Sequence, residues 1–242
     1  MSLPSDTDCE DMKDNSLNKT ELNYIARIHT DFPSKFGIPR QSGLESNIAR
    51  IVMEPEYRRA EAFRGLEEYS HIWVIWDFSE NHRDTWSPTV RPPRLGGNER
   101  MGVFATRSPF RPNPIGISSL KLIGIDYDSE DAPVLIVSGA DMMNGTPIFD
   151  IKPYIAADCH EDAKEGFSGK VKQHFLSVKL DCEKPNDMTD EQLETLVGAL
   201  REDPRPSYQR DENRIYGMSF AKWDVKFSVC ENKLTVKGFD KL

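Results

Sequence analysis

No stretch of this 242-residue chain approaches the roughly 20 consecutive apolar residues that span a bilayer. The first twenty residues lack a basic segment followed by an apolar one, so they do not read as a signal peptide and export is not expected. Cysteine is scarce. Cys9, Cys159, Cys182 and Cys230 stand far apart with no CxxC pair, which argues against a structural zinc site or a disulfide framework and suits a reducing cytoplasm. The histidines (His29, His71, His82, His160 and His174) have no metal-ligand spacing, and no metal is expected. No GxGxxG follows a strand pattern, which disfavours a Rossmann-type cofactor fold; the nearest approach, Leu95-Gly96-Gly97-Asn98, has no helix pattern after it. P-loop, HExxH and GxSxG motifs, internal repeats and low-complexity tracts are all missing.

What is present begins with enough apolar material for a core, 38% hydrophobic against 29% charged. The formal net charge is −9, which by itself opposes nucleic-acid binding, because phosphate contacts need lysine or arginine. The distribution is uneven. From His82 to Lys121, Arg83, Arg91, Arg94, Arg100, Arg107, Arg111 and Lys121 face only Asp84 and Glu99, a local charge of +5. Acidic residues gather at 126–131 and 181–203. The pattern describes a basic face on an acidic body.

Residues 1–20 are polar, acidic and aperiodic, and read as a disordered tail. A strand pattern starts at 22–28. Glu54-Pro55-Glu56 opens a short helix ending near Gly65, and 71–78 reads as a strand buried on both faces. Residues 79–116, rich in Pro, Gly and Arg, read as loop around a short strand at 102–105. Strands follow at 117–125 and 134–138. Many short strands with turn-rich connections predict a mainly β barrel or sandwich over 21–160. A polar stretch, 158–169, marks a boundary, and 165–242 reads as a small α+β domain. In it, strands fall at 171–180, 214–220, 225–230 and 234–237. A capping box at Thr189-Asp190-Glu191-Gln192 starts a helix with Leu193, Leu196, Val197 and Leu200 on one face, which Pro204 stops.

Two segments carry chemistry. In the first, 106–116, Pro109, Pro112 and Pro114 stiffen the chain and hold Arg107, Arg111 and Asn113 in fixed relation, which suits recognition of carboxylate or phosphate. In the second, 141–154, Asn144-Gly145 marks a tight turn, and Asp141, Asp150, Lys152 and Tyr154 are expected around it. An Asp there could accept hydrogen bonds from ribose hydroxyls, and exposed turn backbone could bond an adenine edge.

The order Val90-Arg91-Pro92-Pro93-Arg94-Leu95-Gly96-Gly97, then 102–116, then 141–154 resembles the signature of the TrmO (TsaA-like) family of tRNA methyltransferases. Phe36-Gly37-Ile38-Pro39-Arg40-Gln41, residues 64–73 and Asp203-Pro204-Arg205-Pro206-Ser207-Tyr208 extend the resemblance over about 22–242. It implies a single-sheet β-barrel that binds S-adenosylmethionine and works as a cytoplasmic homodimer with the cofactor pocket near the subunit interface. The implied substrate is tRNA carrying N6-threonylcarbamoyladenosine next to the anticodon, at position 37, and the implied product is its N6-methyl derivative. Cofactor contacts would fall at Pro39, Arg40, Gln41, Arg107, Ile117, and Asp141, Met142, Met143, Asn144, Gly145 and Thr146. Two more, Ser79 and Glu80, follow the strand ending Trp76-Asp77-Phe78; family members commonly carry His where this chain has Ser79.

Methyl transfer to nitrogen is a displacement governed by positioning. On this reading Asn113 accepts from the N6–H, and Asp141 or Asp150 takes the proton or holds ribose hydroxyls. Tyr154 stacks on or bonds the base. Arg111 and Lys152 meet the threonyl carboxylate or phosphates, with Arg91 and Arg94 on the RNA. A non-catalytic barrel that binds the cofactor or RNA is the alternative.

Overall fold

The computed structural model describes residues 20–43, 47–92, 99–170, 175–205, 211 and 214–242. Six strands close into an antiparallel barrel in the order β1-β2-β7-β6-β3-β8. They are β1 (Ala26–His29), β2 (Ile48–Met53), β3 (His71–Asp77), β6 (Ile115–Asp126), β7 (Val134–Ser138) and β8 (Pro147–Pro153). A short ribbon, β4 (Thr89–Val90) with β5 (Met101–Gly102), lies in the arginine-rich stretch. Closure leaves no open edge on the six strands, and alternation sorts their side chains. Gly116, Ser118, Leu120 and Leu122 of β6 point inward, while Ile115, Ile117, Lys121 and Ile123 point out. Ile28, Ile51, Ile72, Val74, Trp76, Leu120, Leu135, Val137 and Ile148 fill the interior.

Several expectations change. Strand β3 is not buried on both faces: Ile72, Val74 and Trp76 enter the core, whereas His71, Trp73 and Ile75 are half-buried on the outer wall. The helix expected from Glu54 is instead three 3-10 turns, Pro55–Tyr57, Ala60–Phe63 and Leu66–Glu68, because Arg59 is extended and Gly65 is left-handed. Residues 103–105 are a 3-10 turn, not strand. Strand β2, unassigned from sequence, shows the alternation of a barrel wall. Apart from Thr20, the acidic tail lies outside the described residues.

The second sheet runs β10-β11-β12-β9, with β9 (Ser177–Leu180) parallel to β12 (Lys233–Lys241) and antiparallel pairing among β10 (Tyr216–Phe220), β11 (Trp223–Cys230) and β12. Helix α1 (Asp190–Arg201) packs on it through Leu196, Ala199 and Leu200. It starts with the capping box: Thr189 Oγ1 accepts from the Gln192 amide and the Gln192 side chain accepts from the Thr189 amide. This core is joined to the β1–β2 connection. Phe32, fully buried, meets Phe220 edge-on at 5.6 Å, and the Ala221 amide donates to the Asp31 carbonyl at 2.7 Å.

Candidate functional site

Strand direction collects one set of loops. The ends of β1, β3 and β7 and the starts of β2, β6 and β8 lie at the same end of the barrel, as the antiparallel registers require. The connection from β7 to β8, residues 139–146, is tied down there. Gly139 accepts from the Gly43 amide, Asn47 Nδ2 donates to the Ala140 carbonyl, and Thr30 Oγ1 donates to the Met142 carbonyl. The Asn144 and Gly145 amides donate to the carbonyls of Phe32 and Ile28, and Gly145 takes the left-handed conformation (φ 81°) that the sequence anticipates. Met142 and Thr146 are buried, Met143 and Gly145 half-buried, and Asn144 exposed.

Asp141 is the polar centre of this end. Its Oδ1 accepts from Ser118 Oγ at 2.6 Å, and Ser118 Oγ in turn accepts from Trp76 Nε1 at 3.0 Å. Burial pushes the Asp141 carboxyl above the ordinary carboxylate range. The Ser118 hydroxyl, the backbone amides of Asp141 and Ser42, and the charge of Arg107 oppose that rise. Arg107 and Asp141, 34 residues apart in the chain, thus share one electrostatic neighbourhood. Gly116 is required here, because a Cβ at that position would overlap the Trp76 ring. Asn47 Oδ1, buried next to Ala140, is an acceptor with no partner among the described residues.

The arginine loop flanks the same end. It is ordered by its own side chains: Thr106 Oγ1 donates to the Val103 carbonyl, and the Ser108 amide donates to Thr106 Oγ1. Arg111 Nη1 donates inward to the carbonyls of Thr106 (3.3 Å) and Ser108 (3.5 Å), so part of its fork is engaged within the loop. Arg107 and Asn113 are exposed, and the Asn113 amide has no side-chain partner among the described residues. The Phe78 amide donates to the Pro114 carbonyl at 2.9 Å, and Arg83 stacks over Phe110 at 3.9 Å, which fastens the turn after β3 to this loop.

That turn holds a group the sequence reading passed over. Asp77, 2% exposed, accepts from Tyr24 Oη at 2.6 Å through Oδ2 and bonds His82 Nε2 at 2.7 Å through Oδ1. The signal was available: a carboxylate closing an otherwise apolar strand needs partners. Hydrogen bonding to the Asp77 carboxylate, followed by burial, pushes the Tyr24 phenol up.

The other expected residues divide. Pro39 is buried and Gln41 half-buried; Arg40 donates from Nη2 to the Asp203 carbonyl at 2.8 Å, just past the end of helix α1. Ser79 and Glu80 are exposed in a 3-10 turn, with Lys35 Nζ on the Glu80 carbonyl at 3.0 Å; Ile117 faces outward. Asp150, Lys152 and Tyr154 do not gather at the Asn144-Gly145 turn. Strand β8 has seven residues, which extend roughly 20 Å. Asp150 pairs with Lys152 at 2.9 Å on the outer wall, and Tyr154 packs on Trp73 with ring centroids 5.2 Å apart at the far end. Arg91 is exposed, and Arg94 lies outside the described residues. Among the described residues no group of three His, Cys, Asp or Glu could hold a metal ion. The far end of the barrel has an open cavity of about 620 Å³ lined by Ile25, Met53, Tyr57, Phe63, Leu66 and Ile151, and none of the expected site residues lies there.

Two family profiles match consecutive parts of the chain: the tRNA-methyltransferase O N-terminal domain over 27–159 and the TrmO C-terminal domain over 174–242. A tRNA (adenine(37)-N6)-methyltransferase of Escherichia coli strain K12 is 37% identical over 232 residues, covering 93% of this chain and 97% of the relative. Another of that name from Eikenella corrodens is 44% identical over 169 residues, 66% and 91% of the two chains. A protein of Pyrococcus abyssi named "Probable S-adenosyl-L-methionine-binding protein" is 35% identical over 148 residues, 60% and 74% of the two. A crystal structure of TrmO from P. aeruginosa superposes with TM-score 0.74 and 29% identity, over 93% of this chain and 98% of that one. Matches this long, spanning the barrel, the arginine loop, the Asp141 connection and the second sheet alike, place the chain in the tRNA-methyltransferase O family.

Proposed function

We propose that this chain methylates N6 of the adenosine at position 37 of tRNA with S-adenosylmethionine as donor. The base it acts on carries the N6-threonylcarbamoyl group. The observation that carries the reading is the Trp76–Ser118–Asp141 hydrogen-bond chain at the barrel end, within the electrostatic reach of Arg107, in a member of this family.

The residues suit such a donor. Its ribose hydroxyls are donors and match the Asp141 carboxylate, already held by Ser118; its carboxylate matches the exposed Arg107 guanidinium. Asn47 Oδ1 offers one more acceptor close by. On this reading Pro39, Gln41, Met142, Met143, Asn144, Gly145 and Thr146 contribute the rest of the cofactor contacts. The bound sulfonium supplies an electrophilic methyl group; the chain's part is to hold the acceptor in line with it. Asn113, rigid between Pro112 and Pro114, accepts from the N6–H and orients the base. Arg111 and Arg91 face the tRNA phosphates or the threonyl carboxylate.

The barrel, 21–160, is the methyltransferase unit, and 165–242 is an accessory unit carrying Arg205 and Arg214. The protein works in the cytoplasm as a homodimer. Supporting the dimer, Ile115 and Ile117 face outward on β6, and Phe104, 72% exposed, lies tilted against the exposed Trp86 with ring centroids 6.0 Å apart; a second copy covering them would bury this apolar surface. Among the described residues no helix is long and apolar enough to cross a membrane.

The test is transfer of labelled methyl from S-adenosylmethionine to purified tRNA with and without the threonylcarbamoyl group. Label confined to the modified tRNA, at the adenosine beside the anticodon, is the expected result. Stabilisation by S-adenosylmethionine without label on either tRNA would support the non-catalytic module instead.

A further inference from the structure

N-methylation of a nucleobase must dispose of the N6 proton, and the two carboxylates the sequence singled out are poorly placed to take it. Asp150 is paired with Lys152 on the outer wall, and Asp141 already accepts from Ser118 as part of the cofactor wall. The buried Asp77 and the two groups it holds have no part in that wall.

We propose that His82 is the base that removes the N6 proton during methyl transfer, with Asp77 and Tyr24 as positioning residues; this rests on the methyltransferase reading above. Asp77 is almost wholly buried, and its two oxygens are engaged by Tyr24 and by His82 Nε2. With Tyr24 donating to Oδ2, Oδ1 is left to accept from Nε2–H. That bond fixes the tautomer in which Nδ1 carries the lone pair. The His82 side chain is 57% exposed, and Nδ1 has no partner among the described residues. The arrangement is a buried carboxylate, an imidazole oriented by it, and a bare basic nitrogen facing outward, the logic of a carboxylate-supported general base.

Asp77 pairs with Ile115, two residues beyond Asn113, and the Phe78 amide is bonded to Pro114. On the other side of His82, Arg83 is stacked on Phe110. The imidazole is thus fixed at both flanks to the loop carrying Arg107, Arg111 and Asn113, directly after the Ser79–Asn81 turn. The charged groups around it are Asp77 on β3, Glu80, Arg83 and Asp84 on its own segment, and Lys35, whose ammonium bonds the Glu80 carbonyl.

In the step, the N6 lone pair forms the N–CH3 bond while the S–CH3 bond breaks and its electron pair stays on sulfur. Nitrogen gains positive character as the new bond forms, so its proton becomes acidic enough for an imidazole to take. Asn113, which holds this N–H in the ground state, releases it as the bond forms; the proton passes to Nδ1, the imidazolium is stabilised by the buried Asp77 carboxylate, and the exposed ring returns the proton to water.

The discriminating variant is H82Q. The glutamine Nε2–H can keep the bond to Asp77 and hold the turn, but offers no nitrogen to protonate. Single-turnover transfer to threonylcarbamoylated tRNA is expected to fall about 100-fold, the low end of a general-base contribution. Stabilisation by S-adenosylmethionine is expected to stay at the wild-type value in H82Q. Nitrogen-15 NMR of the histidine side chains in the ligand-free wild type should show His82 protonated on Nε2 and bare on Nδ1, with that preference weakened in D77N. An H82Q protein with the wild-type rate overturns the inference and leaves the methyltransferase reading standing, as does an Nδ1–H tautomer in the wild type. A wild type that transfers no methyl overturns both.

Discussion

A carboxylate taken out of water resists ionisation unless donors replace the water it lost. At Asp141 burial outweighs the help from Ser118, two backbone amides and Arg107, so its carboxyl is raised above the ordinary range. A carboxyl raised in the folded state favours folding while it is protonated, and that advantage is lost as pH rises through the folded value. Ionised Asp141 therefore costs stability at neutral pH. D141N is expected to melt at a higher temperature than wild type at pH 7, with the difference closing below about pH 4, where both side chains are neutral. The same variant should lose most of the melting-temperature increase that S-adenosylmethionine produces, because an amide is a weaker acceptor for ribose hydroxyls. Melting curves across pH, with and without the cofactor, read both effects; a D141N protein less stable than wild type at pH 7 would contradict the burial argument. Asp141 and Arg107 were legible as candidates because residue type and loop stiffness point to them. Ser118 was not: a serine in a strand carries no signal until pairing brings it under Trp76.

Among the elements, β6 shows how local pattern and pairing divide the work. Its alternation is visible in the sequence, but the reason for Gly116 is not, since the Trp76 ring that covers it comes from β3. G116A must displace that ring and is expected to destabilise the protein by about 1–3 kcal/mol, as overpacking does. It should also weaken cofactor binding, because Trp76 Nε1 would leave Ser118; urea titration and a cofactor-binding isotherm measure the two. A G116A protein with wild-type stability would mean that the barrel end yields more easily than its packing indicates. Strand β8 teaches the complementary point. Asp141, Asp150, Lys152 and Tyr154 fall within fourteen residues of sequence, yet an extended strand separates their ends by about 20 Å. Nearness in sequence collects side chains in a turn or helix and disperses them in a strand.

For the whole molecule, the β1–β2 connection belongs to both cores. Phe32 is fully buried against Phe220, Gln192 Nε2 donates to Asp31 Oδ1 at 3.0 Å, and the Arg40 amide donates to Glu202 Oε2 at 3.1 Å. F32A should cost about 3–5 kcal/mol, the range for removing a buried aromatic side chain. Because the same connection meets the 139–146 loop through Thr30 and the Phe32 carbonyl, the loss should also lower cofactor affinity. Chemical denaturation followed separately by Trp76 and Trp223 fluorescence in single-tryptophan backgrounds would show whether both cores feel it; an effect confined to Trp223 would mean that the connection anchors only the second sheet.

From sequence alone came the β-rich first part, the capped helix α1, the stiff arginine loop, the left-handed glycine at 145 and, through long ordered motifs, the family. These are properties of residues and their near neighbours: proline fixes φ, Asn-Gly favours a turn, alternation marks a strand face. Tertiary structure decided which strands pair, that Arg107 and Asp141 share a field, that Arg40 reaches the end of helix α1, and that Asp77 joins Tyr24 and His82. Those contacts link positions up to 163 residues apart, and a barrel closed by hydrogen bonds between distant strands fixes them only once every strand is in register.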